Sequence, residues 1–169
     1  MCGILAIFEA STNDVDLRKR IVSLAKRLRH RGPDASGVEM IPNGAIAHER
    51  LSIIDPESGS QPLLSTSKGD DIILAVNGEI YNHEQLKNSL KKKYEFSSDS
   101  DCEVLIPLYL EHGADFISML DGMFGFVLYD RKKKYICCWK RLHGHHTIIC
   151  WLACRWWNYV FKRVKRAER

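Results

Sequence analysis

The first third of the chain shows apolar patterns that predict a strand followed by a helix. Residues 3–8 form a continuous apolar run that is typical of a buried strand. Apolar residues then recur at helical spacing over 17–28, with Asn13 or Asp14 as the expected N-cap. Pro33 ends this pattern, because proline disfavours helical backbone in the residue before it.

Apolar and polar residues alternate in the next segment, as is typical of strands. Residues 37–41 and 45–54 predict two strands joined by a hairpin turn at Pro42-Asn43-Gly44. Residues 71–76 predict a third strand, and the pair Asn77-Gly78 predicts a tight turn at its end.

Helical and strand patterns mix over the following residues. Residues 83–93 and 102–113 predict helices, and residues 123–129 predict another strand. Strands mixed with helices favour a layered α+β or α/β domain.

Composition and charge divide the chain into two parts. Its 169 residues are 45% hydrophobic and 27% charged, which is typical of one globular domain, and no apolar run is long enough for a membrane-spanning helix. Residues 137–169 hold eight Lys/Arg and one acid, a net charge of +7, whereas the remainder holds 17 basic and 20 acidic residues. All four tryptophans also lie in the last segment. Since the positive total of +4 arises from one segment, we expect no nucleic-acid or membrane partner.

Cys2 is the first candidate for chemistry. Removal of Met1 would place a thiol and an α-amine on one residue, and that amine titrates near neutral pH, where it can act as a base for the thiol. A cysteine in this place can also be a small apolar residue at the start of a strand.

Five motifs that follow one another along the chain give Cys2 its context. They are Cys2-Gly3-Ile4; Arg29-His30-Arg31-Gly32-Pro33-Asp34 with Ser36-Gly37; His48-Glu49-Arg50-Leu51-Ser52-Ile53-Ile54-Asp55 with Gln61-Pro62; Val76-Asn77-Gly78-Glu79-Ile80-Tyr81-Asn82; and Ser100-Asp101-Cys102-Glu103. Together they resemble the glutaminase domain of the glutamine-hydrolysing asparagine synthetases, which are class II glutamine amidotransferases. The resemblance covers residues 1–136 and implies an N-terminal-nucleophile fold, an αββα sandwich that is incomplete at its C-terminal end.

The resemblance implies an active site for L-glutamine. Cys2 would attack the side-chain amide and release ammonia through a glutamyl thioester, while Asn77 and the backbone N–H of Gly78 would stabilise the oxyanion. Arg50 would bind the substrate α-carboxylate and Asp101 the α-ammonium. The implied substrate-binding set is completed by Glu79, which also faces the ammonium, by Asn77 and Gly78, and by the wall residues Leu51, Ser52, Ile53 and Ile54.

Simpler interpretations of these residues stay open. Arg50 could be a solvated cation, Asp101 an N-cap, and Asn77-Gly78 a hairpin turn. His30, His48, His83 and His112 show no metal-ligand spacing, so we expect no metal in this chain. The whole domain could instead be a non-catalytic module that binds glutamine or a partner, or belong to another class II amidotransferase.

The resemblance also implies a second, synthetase domain that uses ATP and Mg to make asparagine from aspartate. Its Ser-Gly-Gly-x-Asp-Ser type ATP loop does not occur in these 169 residues, so we expect no cofactor in this chain. Relatives in the family can form homodimers, and the oligomeric state of this chain stays open. The N-terminus has no basic-then-apolar leader, which predicts a cytoplasmic protein with reduced cysteines.

The family pattern stops near residue 136. Shifting the reading frame forward by one nucleotide from about Cys138 allows a family-like sequence, so we interpret 137–169 as an out-of-frame translation and 1–136 as a partial glutaminase domain. The Cys and His residues of this segment lack paired Cys-x-x-Cys spacing, which argues against zinc. Its apolar stretch is broken by Arg155, which argues against a membrane anchor. Without the last strands, we expect exposed sheet edges, low stability and aggregation. Without a synthetase domain, we expect this chain to be inactive in the full asparagine-forming reaction.

Overall fold

The computed structural model describes residues 2–8, 10, 13–51, 60–65, 71–141 and 149–152, the last four and 140–141 as backbone only. The strands are β1 (Gly3–Ile7), β2 (Ala35–Ile41), β3 (Gly44–Arg50), β4 (Leu63–Leu64), β5 (Ile72–Ile80), β6 (Gly122–Asp130), β7 (Tyr135–Arg141) and β8 (Ile149–Leu152). The α-helices are α1 (Asp14–Ala25), α2 (His83–Ser89) and α3 (Leu105–His112). Short 3₁₀ helices span Lys26–Leu28, Asp101–Val104 and Gly113–Met119.

The described strands form two four-stranded sheets. The first sheet has the order β2-β3-β1-β8 and the second has the order β4-β5-β6-β7. Neighbouring strands are antiparallel except β1 and β8, which are parallel.

Three apolar clusters separate four layers. Alternate residues of β1 point to opposite faces, so Leu5 packs with α1 outside the first sheet while Ile4 packs against the second sheet. The outer face of the second sheet is covered by α2, α3 and the 3₁₀ helices Asp101–Val104 and Gly113–Met119. Helix, sheet, sheet and helix therefore stack in the αββα order that the family resemblance implies.

Most predicted elements are present with shifted ends. Asn13 is the N-cap of α1, since its side chain accepts a hydrogen bond from the Asp16 amide at 2.9 Å. Asn43 adopts a positive φ of 53° in the predicted turn between β2 and β3. The strand expected over 45–54 ends at Arg50, and the helix expected over 83–93 ends at Ser89. The helix predicted over 102–113 is a 3₁₀ turn followed by α3.

The tight turn predicted at Asn77-Gly78 is wrong. Strand β5 continues through both residues to Ile80, and Gly78 pairs with Phe124 of β6. Gly78 has a φ of 145°, and a Cβ built on it would lie 2.1 Å from the Met123 carbonyl oxygen. Glycine is therefore required by close backbone approach inside a strand rather than by a turn.

The last segment contributes strands to both sheets. Cys137 is 3% exposed in β7 and packs on the helical side, while the half-buried Cys138 packs between the sheets. Burial raises the pKa of the Cys137 thiol to about 12, so it is protonated and apolar. The boundary at residue 136, the out-of-frame origin and the low stability stay predictions. Residues 142–148 and 153–169 lie outside the described residues, and so do the side chains of the zinc candidates His143, His145, His146, Cys150 and Cys154.

Candidate active site

Cys2 lies beside the end of β3 and contacts β5 of the second sheet. It precedes β1, whose Gly3 pairs with Glu49 near the end of β3. The Leu51 amide, just beyond β3, donates to the Cys2 Sγ at 3.3 Å. The thiol in turn lies 3.6 Å from the Leu51 carbonyl oxygen, which it can donate to. The backbone of Leu51 thus contacts the sulfur through both its amide and its carbonyl group.

Asn77 connects the second sheet to Cys2. Its side-chain Oδ1 accepts a hydrogen bond from the Cys2 backbone nitrogen at 2.9 Å, and the residue is 6% exposed. The same amide group keeps Nδ2 as its donor end. The pair that sequence analysis expected at an oxyanion site, Asn77 and Gly78, thus lies beside the candidate nucleophile.

Arg31 is a neighbour of Cys2 that sequence analysis did not single out. Its Nε donates to the Cys2 carbonyl oxygen at 3.3 Å, from the turn that follows α1. Its place in the second of the five motifs was the available signal. Gln61 was missed in the same way, although its Oε1 accepts from the Val76 amide at 2.7 Å, next to Asn77.

Asp101 contacts the far end of β5. Its Oδ2 accepts a hydrogen bond from the Ile80 amide at 2.6 Å. Asp101 is the first residue of the 3₁₀ helix Asp101–Val104, and the N-cap of that helix is Ser100, whose side chain accepts a hydrogen bond from the Cys102 amide. The N-cap interpretation of Asp101 is therefore wrong. Glu79 lies exposed on β5 itself, one residue before Ile80. Carboxylates at 79 and 101 therefore flank the same strand end.

The Cys102 thiol lies beneath this strand end. Its Sγ is 3.5 Å from the Gly78 carbonyl oxygen, to which it can donate. Complete burial raises the pKa of this thiol well above its ordinary value, and the nearby Asp101 carboxylate adds to the effect.

His48 joins the two sheets behind the site. It is 1% exposed, and its Nε2 lies 3.0 Å from the Val76 carbonyl oxygen of β5. Burial lowers the pKa of His48 to about 4; the hydrogen bond to Val76 opposes this shift, and the charge of Arg50 adds to it. His48 is therefore neutral at pH 7, which makes Nε2–H the donor to Val76.

Arg50 ends β3 next to Leu51 and lines an open cleft of about 620 Å³. Polar residues of β2 and of the chain around β4 share this cleft: Ser36, Glu39, Ser60, Gln61 and Ser65. The structure thus places Cys2, Leu51, Asn77 and Gly78 together, with Arg50 and Asp101 on adjoining elements. Ser52, Ile53 and Ile54 lie outside the described residues.

The described residues lack two further features, a metal-binding cluster and a membrane-spanning helix. In that part of the chain, no cluster of three or more His, Cys, Asp or Glu is arranged to bind a metal ion. None of the helices described is both long and apolar enough to cross a membrane.

Comparison with known proteins shows the family to which the chain belongs. A family model described as a glutamine amidotransferase domain matches residues 1–148. The chain belongs to this glutamine amidotransferase family. Among curated proteins, it is 51% identical over 134 residues to glutamine-hydrolysing asparagine synthetase 2 of Oryza sativa subsp. japonica, a match that covers 79% of this chain and 22% of the relative. It is 48% identical over 133 residues to asparagine synthetase B of Escherichia coli strain K12, covering 79% of this chain and 24% of the relative.

The amidotransferase fold is also found among solved structures. A glutamine phosphoribosylpyrophosphate amidotransferase from B. subtilis superposes with a TM-score of 0.54 at 24% identity, over 77% of this chain and 35% of that one. At this identity the likeness supports the fold alone. The chain spans less than a quarter of the length of the curated asparagine synthetases described above.

Proposed function

We propose that this amidotransferase domain hydrolyses L-glutamine to glutamate and ammonia as the glutaminase part of an asparagine synthetase. One observation carries the proposal: Cys2 contacts Leu51 through its sulfur and Asn77 through its nitrogen. The nucleophile therefore meets both the strand that would hold the substrate and the strand that would stabilise the oxyanion.

Cys2 supplies the nucleophile and, after removal of Met1, the base. The α-amine takes the thiol proton, and Sγ attacks the side-chain amide carbon of glutamine. The amine then returns the proton to the leaving nitrogen, which departs as ammonia and leaves a glutamyl thioester. Water attacks the thioester with help from the same amine, and glutamate leaves as the thiol re-forms.

Asn77 and Gly78 stabilise the negative oxygen of the tetrahedral intermediate. Because Asn77 Oδ1 accepts from the Cys2 nitrogen, the side-chain donor that would face the oxyanion is Nδ2. The backbone N–H of Gly78 is the second donor. Donors held in place before the reaction cost no reorganisation when the charge develops.

Charged side chains select the amino-acid end of the substrate. Arg50 forms a bidentate pair with the α-carboxylate, a geometry that lysine cannot reproduce. Asp101 and Glu79 bind the α-ammonium, and the backbone of residues 51–54 forms the wall of the pocket. This arrangement would exclude amides that lack the α-amino and α-carboxylate groups.

The ammonia is consumed by a synthetase reaction. The names of the asparagine synthetases described above point to asparagine synthesis, in which ATP with Mg activates aspartate for attack by ammonia. The cytoplasm fits this role, and the four cysteines whose side chains are described are free thiols.

Glutamate release from L-glutamine by the full chain tests the proposal. We expect turnover by the wild-type chain and its loss in Cys2→Ala, because Cys2 is the thiol that lies beside Leu51 and Asn77. Cys138→Ala removes a thiol outside the site and should keep the wild-type rate. Turnover by Cys2→Ala, or binding of L-glutamine by the wild-type chain without turnover, would contradict the proposal, and the second result would favour a non-catalytic binding module.

A further inference from the structure

A buried carboxylate near the site takes no part in the proposed reaction. Glu103 lies in the 3₁₀ helix Asp101–Val104 and is 0% exposed. Its neighbours in sequence, Cys102 and Val104, pack in the apolar cluster on the helical side of the second sheet. A charged group in such surroundings is stable only where hydrogen bonds replace water.

The hydrogen bonds of Glu103 come from two consecutive serines. Its Oε1 accepts from the Ser97 amide at 2.8 Å and from the Ser97 hydroxyl at 2.9 Å. Its Oε2 accepts from the Ser98 amide at 2.9 Å and from the Ser98 hydroxyl at 2.7 Å. A carboxylate can accept all of these bonds, whereas a glutamine side chain would turn an NH₂ group toward one of the serines.

The serine segment leads directly to Asp101. The Ser98 hydroxyl accepts from the Ser100 amide, and the Ser100 hydroxyl accepts from the Cys102 amide, both at 3.3 Å. Asp101 lies between Ser100 and Cys102, and its own carboxylate accepts a hydrogen bond from the Ile80 amide at the end of β5. The backbone on both sides of Asp101 is thus held by one hydrogen-bond network that ends at Glu103.

We propose that Glu103 is a positioning residue that fixes the 97–101 segment so that Asp101 can bind the α-ammonium of the substrate. The inference rests on the proposed function, since it assigns Asp101 that role. It predicts that Glu103 affects only ligands that carry an α-ammonium group. A residue needed merely for folding would weaken the binding of all ligands alike.

Glu103→Gln is the direct test, and Glu111→Gln is its matched control. Glu111 also accepts from two consecutive backbone amides, those of Lys91 and Lys92 at 3.2 Å and 2.8 Å. The segment that it holds follows α2 and carries none of the proposed site residues. The two substitutions therefore make the same chemical change in two segments, only one of which leads to Asp101.

The measurement is binding of L-glutamate and of glutarate, which lacks the α-ammonium, to the full chain. We expect Glu103→Gln to weaken L-glutamate binding about 10-fold, the effect of one displaced charge-assisted hydrogen bond, while glutarate binding changes less than about twofold. In glutamine turnover, the same variant should raise KM and leave kcat near the wild-type value. Glu111→Gln should change none of these.

Each contrary result has a distinct meaning. Unchanged L-glutamate binding in Glu103→Gln, or equal loss of both ligands, overturns the inference and leaves the proposed function intact. A wild-type chain that binds L-glutamate no better than glutarate overturns the role of Asp101 and the inference with it. A wild-type chain that binds L-glutamate but releases no glutamate from glutamine contradicts only the proposed catalysis.

A second variant keeps the test valid if Glu103→Gln does not fold. Ser98→Ala removes one hydroxyl bond to Glu103 and the bond from the Ser100 amide but keeps the Ser98 amide bond. We expect a selective loss of L-glutamate binding of about threefold, smaller because fewer contacts are lost. No selective loss in a folded Ser98→Ala chain would overturn the inference.

Discussion

The two halves of β5 differ although they belong to one continuous strand. From Ile72 to Val76 every residue is at most 2% exposed, and side chains alternate between the cluster on the helical side and the cluster between the sheets. From Asn77 to Glu79 the strand carries a buried amide, a glycine with positive φ and an exposed carboxylate. Both halves pair with β6 in the same register.

The difference shows how one strand can serve two purposes. The first half is held by apolar packing on both faces, which fixes the position of the strand. The second half uses that fixed backbone to present Asn77 and Gly78 beside Cys2, where packing alone would favour apolar residues. Substitutions in the first half should therefore change stability, and substitutions in the second half should change chemistry.

Leu74→Ala should have the largest effect on stability. Leu74 is 0% exposed and packs in the cluster on the helical side, so truncation should lower the free energy of unfolding by about 2–5 kcal/mol. Urea unfolding measures the loss, and glutamate release per folded molecule should stay at the wild-type value. As a control, Leu64→Ala in the adjoining β4 removes a side chain that is 47% exposed and should cost at most about 0.5 kcal/mol. Equal costs for the two leucines would contradict the packing role of the first half.

Asn77→Asp should change catalysis rather than stability. The new carboxylate can still accept from the Cys2 nitrogen, but it has no Nδ2 donor for the oxyanion. We expect kcat for glutamine hydrolysis to fall about 10²–10³-fold, the usual effect of removing one such donor, with little change in KM. Steady-state kinetics at saturating glutamine measures this. A wild-type kcat in this variant would show that Nδ2 takes no part in the reaction.

His48 contacts β5 where its two halves join, and it should make the stability of the folded chain decrease at acidic pH. Its pKa is about 4 in the folded chain, against an ordinary value of 6.5, so the unfolded state binds a proton between these values that the folded state does not. The contribution of His48 to stability is complete above about pH 6.5 and decreases as the pH falls toward 4, by roughly 3 kcal/mol at most. Unfolding of the wild-type chain and of His48→Gln across this range isolates the effect. Parallel stability curves for the two proteins would contradict it.

Local signals in the sequence were sufficient for much of the fold. The helical repeat and the Asn13 cap define α1, and the turn at Asn43 joins two strands, because each depends on neighbouring residues only. Asn77-Gly78 misled for the same reason. A turn and a strand that needs a close backbone approach both favour glycine, and only the partner strand β6 distinguishes them.

The site was predictable in its residues but not in its contacts. The motifs named Cys2, Arg50, Asn77 and Asp101, yet the contact between Cys2 and Leu51 spans 49 positions and depends on the pairing of β1 with β3. In the sequence, Glu103 was visible only as the last residue of the motif Ser100-Asp101-Cys102-Glu103. Its function in the network depends on full burial, which sequence periodicity does not reveal in a short 3₁₀ helix.

The most direct test of the account is to find the atom that carries the glutamyl group. The full chain is incubated with L-glutamine, quenched in acid and analysed by peptide mass spectrometry. The account predicts a glutamyl thioester on Cys2 of chains that have lost Met1, and no such adduct in Cys2→Ala. A glutamyl group on Cys102 or Cys138, or glutamate release by chains that keep Met1, would contradict it.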